Sequence, residues 1–139
     1  MLYEDAPHIF QVPRATRNSF EHDNVLSGGE TTVTVGGSGK GGRNQELALS
    51  AAFGLRGCPG VLLAAFATDG IDGATDAAGG YASAVTLQKG RAAGLDPSLA
   101  LERNDSNTFL AAAGDLIVTG PTGTNVNDVV FALICRAEA

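Results

Sequence analysis

The chain has 139 residues, of which 44% are hydrophobic and 17% are charged, with a formal net charge of −6. This length suits one domain with a single hydrophobic core. The acidic balance and the lack of a basic stripe argue against a nucleic-acid partner. No apolar run approaches the eighteen or so residues of a membrane span, so we expect no membrane partner either.

The first 25 residues show no clear hydrophobic period, and they predict an irregular arm. This arm is either a linker remnant from an upstream domain or a frayed terminus, and the sequence leaves both open. Its first residues carry acid and a proline where a signal peptide carries base and an apolar core. We therefore expect a cytoplasmic protein whose folded domain spans residues 26–139.

One stretch combines a strand pattern, a glycine loop and a helix pattern. Residues Thr31–Val35 are all β-branched, which favours a strand, and five glycines follow between Gly36 and Gly42. The apolar period then becomes helical, which predicts a helix over residues 44–55. A glycine loop that opens a helix leaves amide N–H groups free for an anion. With Lys40 in the loop and Arg43 at the helix start, the sequence predicts a phosphate or carboxylate site.

A second strand is predicted at Val61–Thr68, a continuous apolar run typical of a strand buried on both faces. Together with the preceding strand and helix it predicts a βαβ unit with a right-handed crossover. Asp69, Asp72 and Asp76 follow directly, at the strand end where α/β sheets bind ligands. These carboxylates suit Mg²⁺ or a hydroxyl group, and they equally suit a glycine-rich turn that caps a helix.

The rest of the chain predicts three helices and two strands. The helices cover residues 77–93, residues 97–101 after an Asp96-Pro97 start, and residues 107–113, closed by Gly114. The strands cover residues 116–119 and 129–135. The two strands are predicted to form a hairpin whose loop is rich in hydroxyl and amide groups, with Asn125 and Asp128 as possible polar ligands. The fold class is therefore α/β, a single domain with a small mixed sheet of about four strands flanked by helices.

The polar run Asn104–Asn107 contains more small polar residues than capping the next helix requires, and this surplus indicates a site. Cys58 and Cys135 match no metal or redox spacing, and we expect both to be reduced and mostly buried. His8 and His22 lie outside the motif-rich region, which argues against a histidine-based zinc site or a Ser-His-Asp triad.

Five motifs occur in order along the chain: Ser27-Gly-Gly-Glu-Thr-Thr-Val-Thr-Val, Gly39-Lys-Gly-Gly-Arg-Asn-Gln-Glu-Leu, Thr68-Asp-Gly-Ile-Asp-Gly-Ala-Thr-Asp-Ala-Ala-Gly, Asn104-Asp-Ser and Thr119-Gly-Pro-Thr-Gly-Thr-Asn-Val. This set resembles the MOFRL domain, the carboxyl-terminal domain of class II glycerate 2-kinases. The resemblance covers roughly residues 26–135. Many members of that family carry the older label hydroxypyruvate reductase.

The resemblance implies an ATP-dependent phosphorylation of D-glycerate at its 2-hydroxyl group, with Mg²⁺. It also implies a partner, the larger amino-terminal kinase domain, which encloses the active site together with this domain. That domain has no counterpart here, and we expect the chain alone to be inactive because one wall of the cleft is missing.

Joining this resemblance to the residues themselves assigns the candidate site. Arg43 and Asp69 are the candidate catalytic residues, and Asp72 is the candidate metal ligand. Glu30 and Glu46 are expected to brace the loop. The candidate substrate- or phosphate-binding residues are Gly39, Lys40, Gly41, Gly42, Asn44, Thr124 and Asn125.

Two other functions stay open on the sequence. The pattern Gly37-Ser-Gly-Lys-Gly-Gly42 satisfies G-x-G-x-x-G and permits an NAD(P)-binding redox module. It is not a Walker A loop, because Gly41 follows Lys40 where Ser or Thr is required. The third possibility is a non-catalytic remnant that binds a partner through the face that the missing domain would cover.

Overall fold

The structure is a computed structural model that describes residues 22–135. In chain order its elements are β1 (His22–Gly29), α1 (Arg43–Gly54), β2 (Val61–Ala67), β3 (Gly79–Ser83), α2 (Thr86–Ala92), α3 (Pro97–Glu102), α4 (Ser106–Ala113), β4 (Leu116–Ile117) and β5 (Asp128–Cys135). The last four residues of the predicted irregular arm already belong to β1, and the rest of the arm lies outside the described residues.

The strands form one sheet in the order β1-β5-β2-β3-β4. The predicted α/β single-domain class is confirmed, with five strands instead of about four. The sheet is not mixed as predicted, because each pairing is antiparallel. The strand β5 lies between β1 and β2, where its apolar residues pair on both sides. The predicted hairpin of the last two strands is therefore wrong, since β4 pairs with β3 at the sheet edge.

The hydrophobic core lies between the sheet and the helices. Its centre is a cluster of fully buried residues from α1, β3, α2 and α4: Leu49, Ala52, Ala82, Leu87 and Phe109. Leu63 of β2 packs against this cluster, whereas its neighbour Leu62, which points to the other face, is 39% exposed. The strand at Val61–Ala67 is confirmed, but the prediction that it is buried on both faces is wrong.

The β-branched run Thr31–Val35 forms no strand, which removes the predicted βαβ unit. The ladder between β1 and β5 ends at the pair Gly29–Asp128, and residues 30–42 are irregular. Beyond that point the Thr31 N–H donates to the side chain of Asp128, at 3.3 Å, and not to the backbone of a neighbouring strand. The run therefore lacks a pairing partner, and β-branched composition alone does not make a strand.

The predicted helix over residues 77–93 is correct only from Thr86, because Gly79–Ser83 form β3. A Cβ atom at Gly79 would overlap the carbonyl oxygen of Ala65 in β2, so this close pairing requires glycine. The other three helices are confirmed within a residue or two at each end. The helix α4 ends as predicted at Gly114, which has the left-handed φ of 71°.

Both cysteines, Cys58 and Cys135, are free and exposed, so the expectation that they are mostly buried is wrong. Within residues 22–135, no helix combines the length and the apolar character that crossing a membrane requires.

The contact between α2 and α4 generates a stability prediction. A Cβ atom at Gly90 would overlap the ring of Phe109, which is fully buried, so Gly90→Ala overpacks the core. We expect this variant to lose about 1–3 kcal/mol of unfolding free energy in urea titrations. Gly54→Ala is the matched control, because open space surrounds Gly54 at the end of α1. Equal stability of the two variants would contradict this packing.

Candidate active site

The first turn of α1 is capped by a carboxylate from another part of the chain. Asp72, in the loop between β2 and β3, is fully buried. Its Oδ1 accepts hydrogen bonds from the backbone N–H of Asn44, at 3.1 Å, and from the Asn44 side chain, at 3.2 Å. Its Oδ2 accepts from the backbone N–H of Gln45, at 2.9 Å, and from the Gln45 side chain, at 3.0 Å. The helix N-terminus is thus already paired with a negative charge.

This cap changes the roles expected of Asp72 and Asn44. Four amide N–H groups occupy the two Asp72 oxygens, so the carboxylate does not suit the predicted metal ligand. Within residues 22–135, no group of three His, Cys, Asp or Glu side chains is arranged to hold a metal ion. Asn44 is fully buried, and its side chain donates a hydrogen bond to Asp72. It therefore holds Asp72 in place and is not an exposed ligand.

Arg43, the first residue of α1, forms a bidentate ion pair with Asp128, the first residue of β5. The Arg43 Nε–H donates to Asp128 Oδ2 at 2.6 Å, and Nη2 donates to Oδ1 at 2.7 Å. The Asp128 side chain is 2% exposed and that of Arg43 is 29% exposed. Thr31 adds hydrogen bonds from its N–H and its hydroxyl to Asp128 Oδ2. The pair therefore joins the start of α1 to the start of β5, an interior strand of the sheet.

The ion pair shifts the pKa of both partners. The Asp128 hydrogen bond raises the pKa of the Arg43 guanidinium, although burial opposes the change. Burial alone would raise the pKa of Asp128, but hydrogen bonds from Arg43, Asn44 and Thr31 outweigh it and hold this pKa below its ordinary value of 3.8. Both groups are therefore charged at neutral pH. Since Asp128 uses two of the five guanidinium N–H groups, Arg43 keeps three donors for an anion.

The glycine loop is bound mainly to its own chain. Gly39 N–H donates to the carbonyl oxygen of Arg103 at 2.8 Å, and Lys40 N–H donates to Asp105 Oδ1 at 2.9 Å. Of the four amides predicted to cradle an anion, these two are occupied. The N–H groups of Gly41 and Gly42 have no acceptor among the described residues. Gly41 is partly exposed, whereas Gly42 is buried with its Cα against the Asp72 carboxylate.

Lys40 and Glu46 differ in how firmly the structure holds them. The Lys40 side chain is 55% exposed and lies 4.0 Å from Asp76, a pair too exposed to add much stability. Glu46 is buried and accepts a hydrogen bond from Asn104 Nδ2 at 2.7 Å. Burial raises the pKa of Glu46, the Asn104 hydrogen bond opposes this, and the charge of Asp72 adds to it.

The remaining predicted residues lie just beyond the end of β2. Asp69 Oδ1 accepts from the Ile71 N–H at 3.0 Å, which is the turn contact considered above. Asp69 Oδ2 accepts from Asn125 Nδ2 at 3.4 Å, so the structure brings these two predicted residues together. Thr124 lies beside them, where its carbonyl oxygen accepts from the Thr122 hydroxyl at 3.2 Å. The carbonyl oxygen of Asn127 binds the Thr68 N–H at 3.1 Å, so this loop and Asp128 share one end of the sheet.

Two contributions were not predicted from the sequence. Gln45 reads as an ordinary helix residue, yet it is fully buried and binds both Asp72 and Asn107. Asp128 was considered only as a polar ligand, and its pairing with Arg43 was missed. A carboxylate at the start of an apolar strand was the available signal, because a buried charge requires a partner.

Comparisons with known proteins agree on one family. A model of the MOFRL family matches residues 24–128. The chain is 54% identical over 110 residues to a D-glycerate 2-kinase of Thermotoga maritima, a match that covers 79% of this chain and 26% of that protein. It is 51% identical over 112 residues to a putative hydroxypyruvate reductase of Agrobacterium vitis, covering 79% and 26%. A crystal structure of Thermotoga maritima glycerate kinase superimposes with a TM-score of 0.78, over 80% of this chain and 27% of that one.

The capping role of Asp72 is testable by Asp72→Asn. This variant keeps the size of the side chain but leaves buried amide donors opposed to an NH₂ group. We expect a loss of about 1–3 kcal/mol of unfolding free energy, measured by urea titration. Asp76→Asn in the same loop is the control, because Asp76 is exposed and should change stability by less than about 0.5 kcal/mol. Indistinguishable variants would contradict the cap.

The low pKa of Asp128 predicts how stability depends on pH. Because its pKa in the folded state lies below 3.8, the ion pair stabilises the fold above that pH and is lost as the pH falls through the folded-state pKa. Asp128→Asn should cost about 3 kcal/mol at pH 7, and the gap to wild type should shrink below pH 4. The exposed residue Glu102 offers a control, Glu102→Gln. A gap that stays constant down to pH 2 would contradict this assignment.

Proposed function

The chain belongs to the MOFRL family, and from this membership we propose that it is the carboxyl-terminal domain of an ATP-dependent glycerate 2-kinase. The chain spans about a quarter of the length of the curated relatives it matches, among them a D-glycerate 2-kinase. This ratio supports a domain that works together with a larger one. In this proposal the chain forms one wall of the cleft between the two domains.

The observation that carries the proposal is the guanidinium of Arg43, which the buried Asp128 holds in one orientation. Phosphoryl transfer needs chiefly correct positioning and positive charge at the transferring group. The three remaining donors of Arg43, with the N–H groups of Gly41 and Gly42, suit the carboxylate of D-glycerate or a phosphoryl group. Lys40, whose side chain is exposed, would add charge to the same anion.

We assign Asp69 the task of orienting the 2-hydroxyl group of the substrate. Asp69 lies at the same end of the sheet as Arg43 and is only partly buried. Asn125 holds one of its carboxylate oxygens, and Thr124 lines the adjacent loop. A carboxylate held in this way can accept a hydrogen bond from a substrate hydroxyl.

The described residues do not fit a Mg²⁺ site built from three protein ligands, because Asp72 is occupied by amide groups and no group of three His, Cys, Asp or Glu side chains in residues 22–135 is arranged to hold a metal ion. We therefore assign the binding of Mg²⁺ and of the nucleotide to the amino-terminal kinase domain that the family pairs with this one. The isolated chain is then expected to be inactive, because it lacks the groups that position the nucleotide and exclude water.

Exposed apolar side chains support a covered surface around this site. Val35 in the glycine-loop segment, Ile71 after β2, and Val118 and Val126 in the loop before β5 are all exposed. Each belongs to a loop that also carries a residue of the candidate site. A domain that closes over Arg43 would bury these side chains, which fits an interdomain cleft.

The geometry does not favour the dinucleotide-binding alternative. That function requires the G-x-G-x-x-G loop to follow a strand of a parallel βαβ unit. Here the loop follows an irregular segment, the sheet pairs are antiparallel, and Asp72 already occupies the helix N-terminus. If the chain binds no dinucleotide, the fluorescence of reduced nicotinamide should not change when the chain is added.

The test is a coupled ADP-release assay with D-glycerate and Mg·ATP. The chain is assayed alone and after mixing with the amino-terminal region of the Thermotoga maritima D-glycerate 2-kinase. We expect activity only in the mixture, and a loss of about 10²–10³-fold in kcat for Arg43→Ala. Arg43→Lys should also lose activity, because it keeps the charge but not the planar fork.

Arg91→Ala is the matched control, since Arg91 is exposed on α2. Circular dichroism verifies that each variant is folded. An inactive mixture of folded proteins would contradict the kinase proposal and favour a domain that only binds a partner. An active Arg43→Ala mixture would remove Arg43 from the site.

A further inference from the structure

The polar run Asn104–Asn107 does not behave as a simple helix cap. Asp105 is the N-cap residue of α4, yet its side chain makes no capping hydrogen bond to the backbone of that helix. Instead, Asp105 Oδ1 accepts the Lys40 N–H from the glycine loop. Asn107 N–H likewise donates to the Lys40 carbonyl oxygen at 2.9 Å. The Asp105 side chain and the Asn107 backbone are therefore both bonded to the glycine loop.

Asn104 makes the largest number of these contacts. Its Oδ1 accepts the N–H groups of Gly36, at 2.9 Å, and of Gly37, at 2.8 Å. Its Nδ2 donates to Glu46 Oε1 at 2.7 Å and to the Thr34 carbonyl oxygen at 3.3 Å. A single side chain, only 8% exposed as a residue, thus joins the segment before the loop, the loop itself and the first turn of α1.

The backbone of Asn104 has a left-handed φ of 54°, a conformation that few non-glycine residues adopt. Glycine would adopt it without steric cost, but glycine has no side chain to make these four bonds. Asparagine tolerates the left-handed region better than most residues, so it satisfies both requirements.

The glycines of the loop fit closely against the same segment. A Cβ atom at Gly37 would overlap the backbone of Arg103, one at Gly39 would contact Asp105, and one at Gly41 would contact Ser106. These three glycines alternate with Ser38 and Lys40, which are exposed. One side of the loop therefore lies directly on residues 103–106, and the other side faces solvent.

We propose that Asn104 is a positioning residue of the site: it holds the glycine loop against α1 so that the Gly41 and Gly42 N–H groups and Arg43 present one fixed geometry to the anionic substrate. This inference rests on the proposed function only in its last step, since the hold on the loop is independent of any substrate. Asn104 acts through the loop and need not touch the substrate itself.

The test compares Asn104→Gly with Asn127→Gly. Both positions have left-handed backbones, with φ of 54° and 69°, so glycine suits each conformation. The side chain of Asn127 is exposed and forms no hydrogen bond within the described residues, so its removal controls for the backbone effect. Amide hydrogen exchange at Gly36 and Gly37 and the amide chemical shifts of Gly41 and Gly42 are measured by NMR on the full chain. The kcat and KM values for D-glycerate are measured in the mixture described above.

For Asn104→Gly we expect exchange at Gly36 and Gly37 to accelerate by about tenfold or more, because their acceptor is gone. The Gly41 and Gly42 shifts should change, and kcat/KM should fall on the order of 10–100-fold. Asn127→Gly should leave all three measurements close to wild type. The double variant Asn104→Asp with Glu46→Gln keeps an acceptor oxygen for Gly36 and Gly37 and exchanges donor and acceptor in the bond to residue 46, so it should retain their protection. It replaces Asn104→Gly if that variant does not fold.

Unchanged exchange in Asn104→Gly, or lost protection in the folded double variant Asn104→Asp with Glu46→Gln, would overturn the inference. Faster exchange with unchanged Gly41 and Gly42 shifts and unchanged kcat/KM would overturn the positioning role. An inactive wild-type mixture would count against the proposed kinase function instead. In that case the exchange rates and amide shifts alone decide whether Asn104 sets the loop geometry.

Discussion

The ion pair between Arg43 and Asp128 connects the two halves of this fold. Asp128 starts β5, an interior strand of the sheet, and is nearly inaccessible to water, so its charge needs compensation within the protein. Arg43 provides that compensation from the first residue of α1, and Thr31 adds two further hydrogen bonds. Removing Arg43 would leave the buried Asp128 carboxylate without its counter-charge. The same pair fixes the orientation of the positive charge on which the proposed function depends.

Negative charge is arranged around the start of α1 in two separate roles. Asp72 pairs with the helix amides, while Asp128 pairs with the guanidinium beside them. A helix N-terminus with free amides would attract an anion by itself, but here an internal carboxylate has taken that position. In the proposed function, the groups left to bind an external anion are the remaining donors of Arg43 and the amides of Gly41 and Gly42. This division separates what stabilises the helix from what can bind a ligand.

The glycine loop illustrates how one composition permits two explanations. Glycine allows a ligand to approach the backbone, and it equally allows another segment of the same chain to approach. In this structure Gly37, Gly39 and Gly41 serve the second purpose, against residues 103–106. The polar run that contains Asn104 supplies the hydrogen-bond acceptors for that contact. The loop and the run are more than sixty residues apart in sequence. The loop needs glycines to lie close to the run, and polar residues of the run bind the loop amides.

The sequence by itself determined the elements whose signals are local. The period of residues 44–55 predicted α1, the apolar run predicted β2, and the Asp96-Pro97 and Gly114 signals predicted α3 and the end of α4. The resemblance of five ordered motifs to the MOFRL domain predicted the family, and the order of strands and helices predicted the α/β class; both are confirmed. The charge of Arg43 and the glycines of the neighbouring loop are visible in the sequence, and the structure places Arg43 at the start of α1, directly after that loop.

Only the tertiary structure decided which groups pair with which. The β-branched run Thr31–Val35 has strand composition but no strand to pair with, while Gly79–Ser83 has weak strand composition and pairs with β2. Asp72 and Asn104 were visible as polar residues, yet their partners lie 27 or more positions away and follow from the packing of loops. Hydrogen-bond and ion-pair partners of buried groups are chosen by spatial proximity, and local sequence patterns do not contain that information.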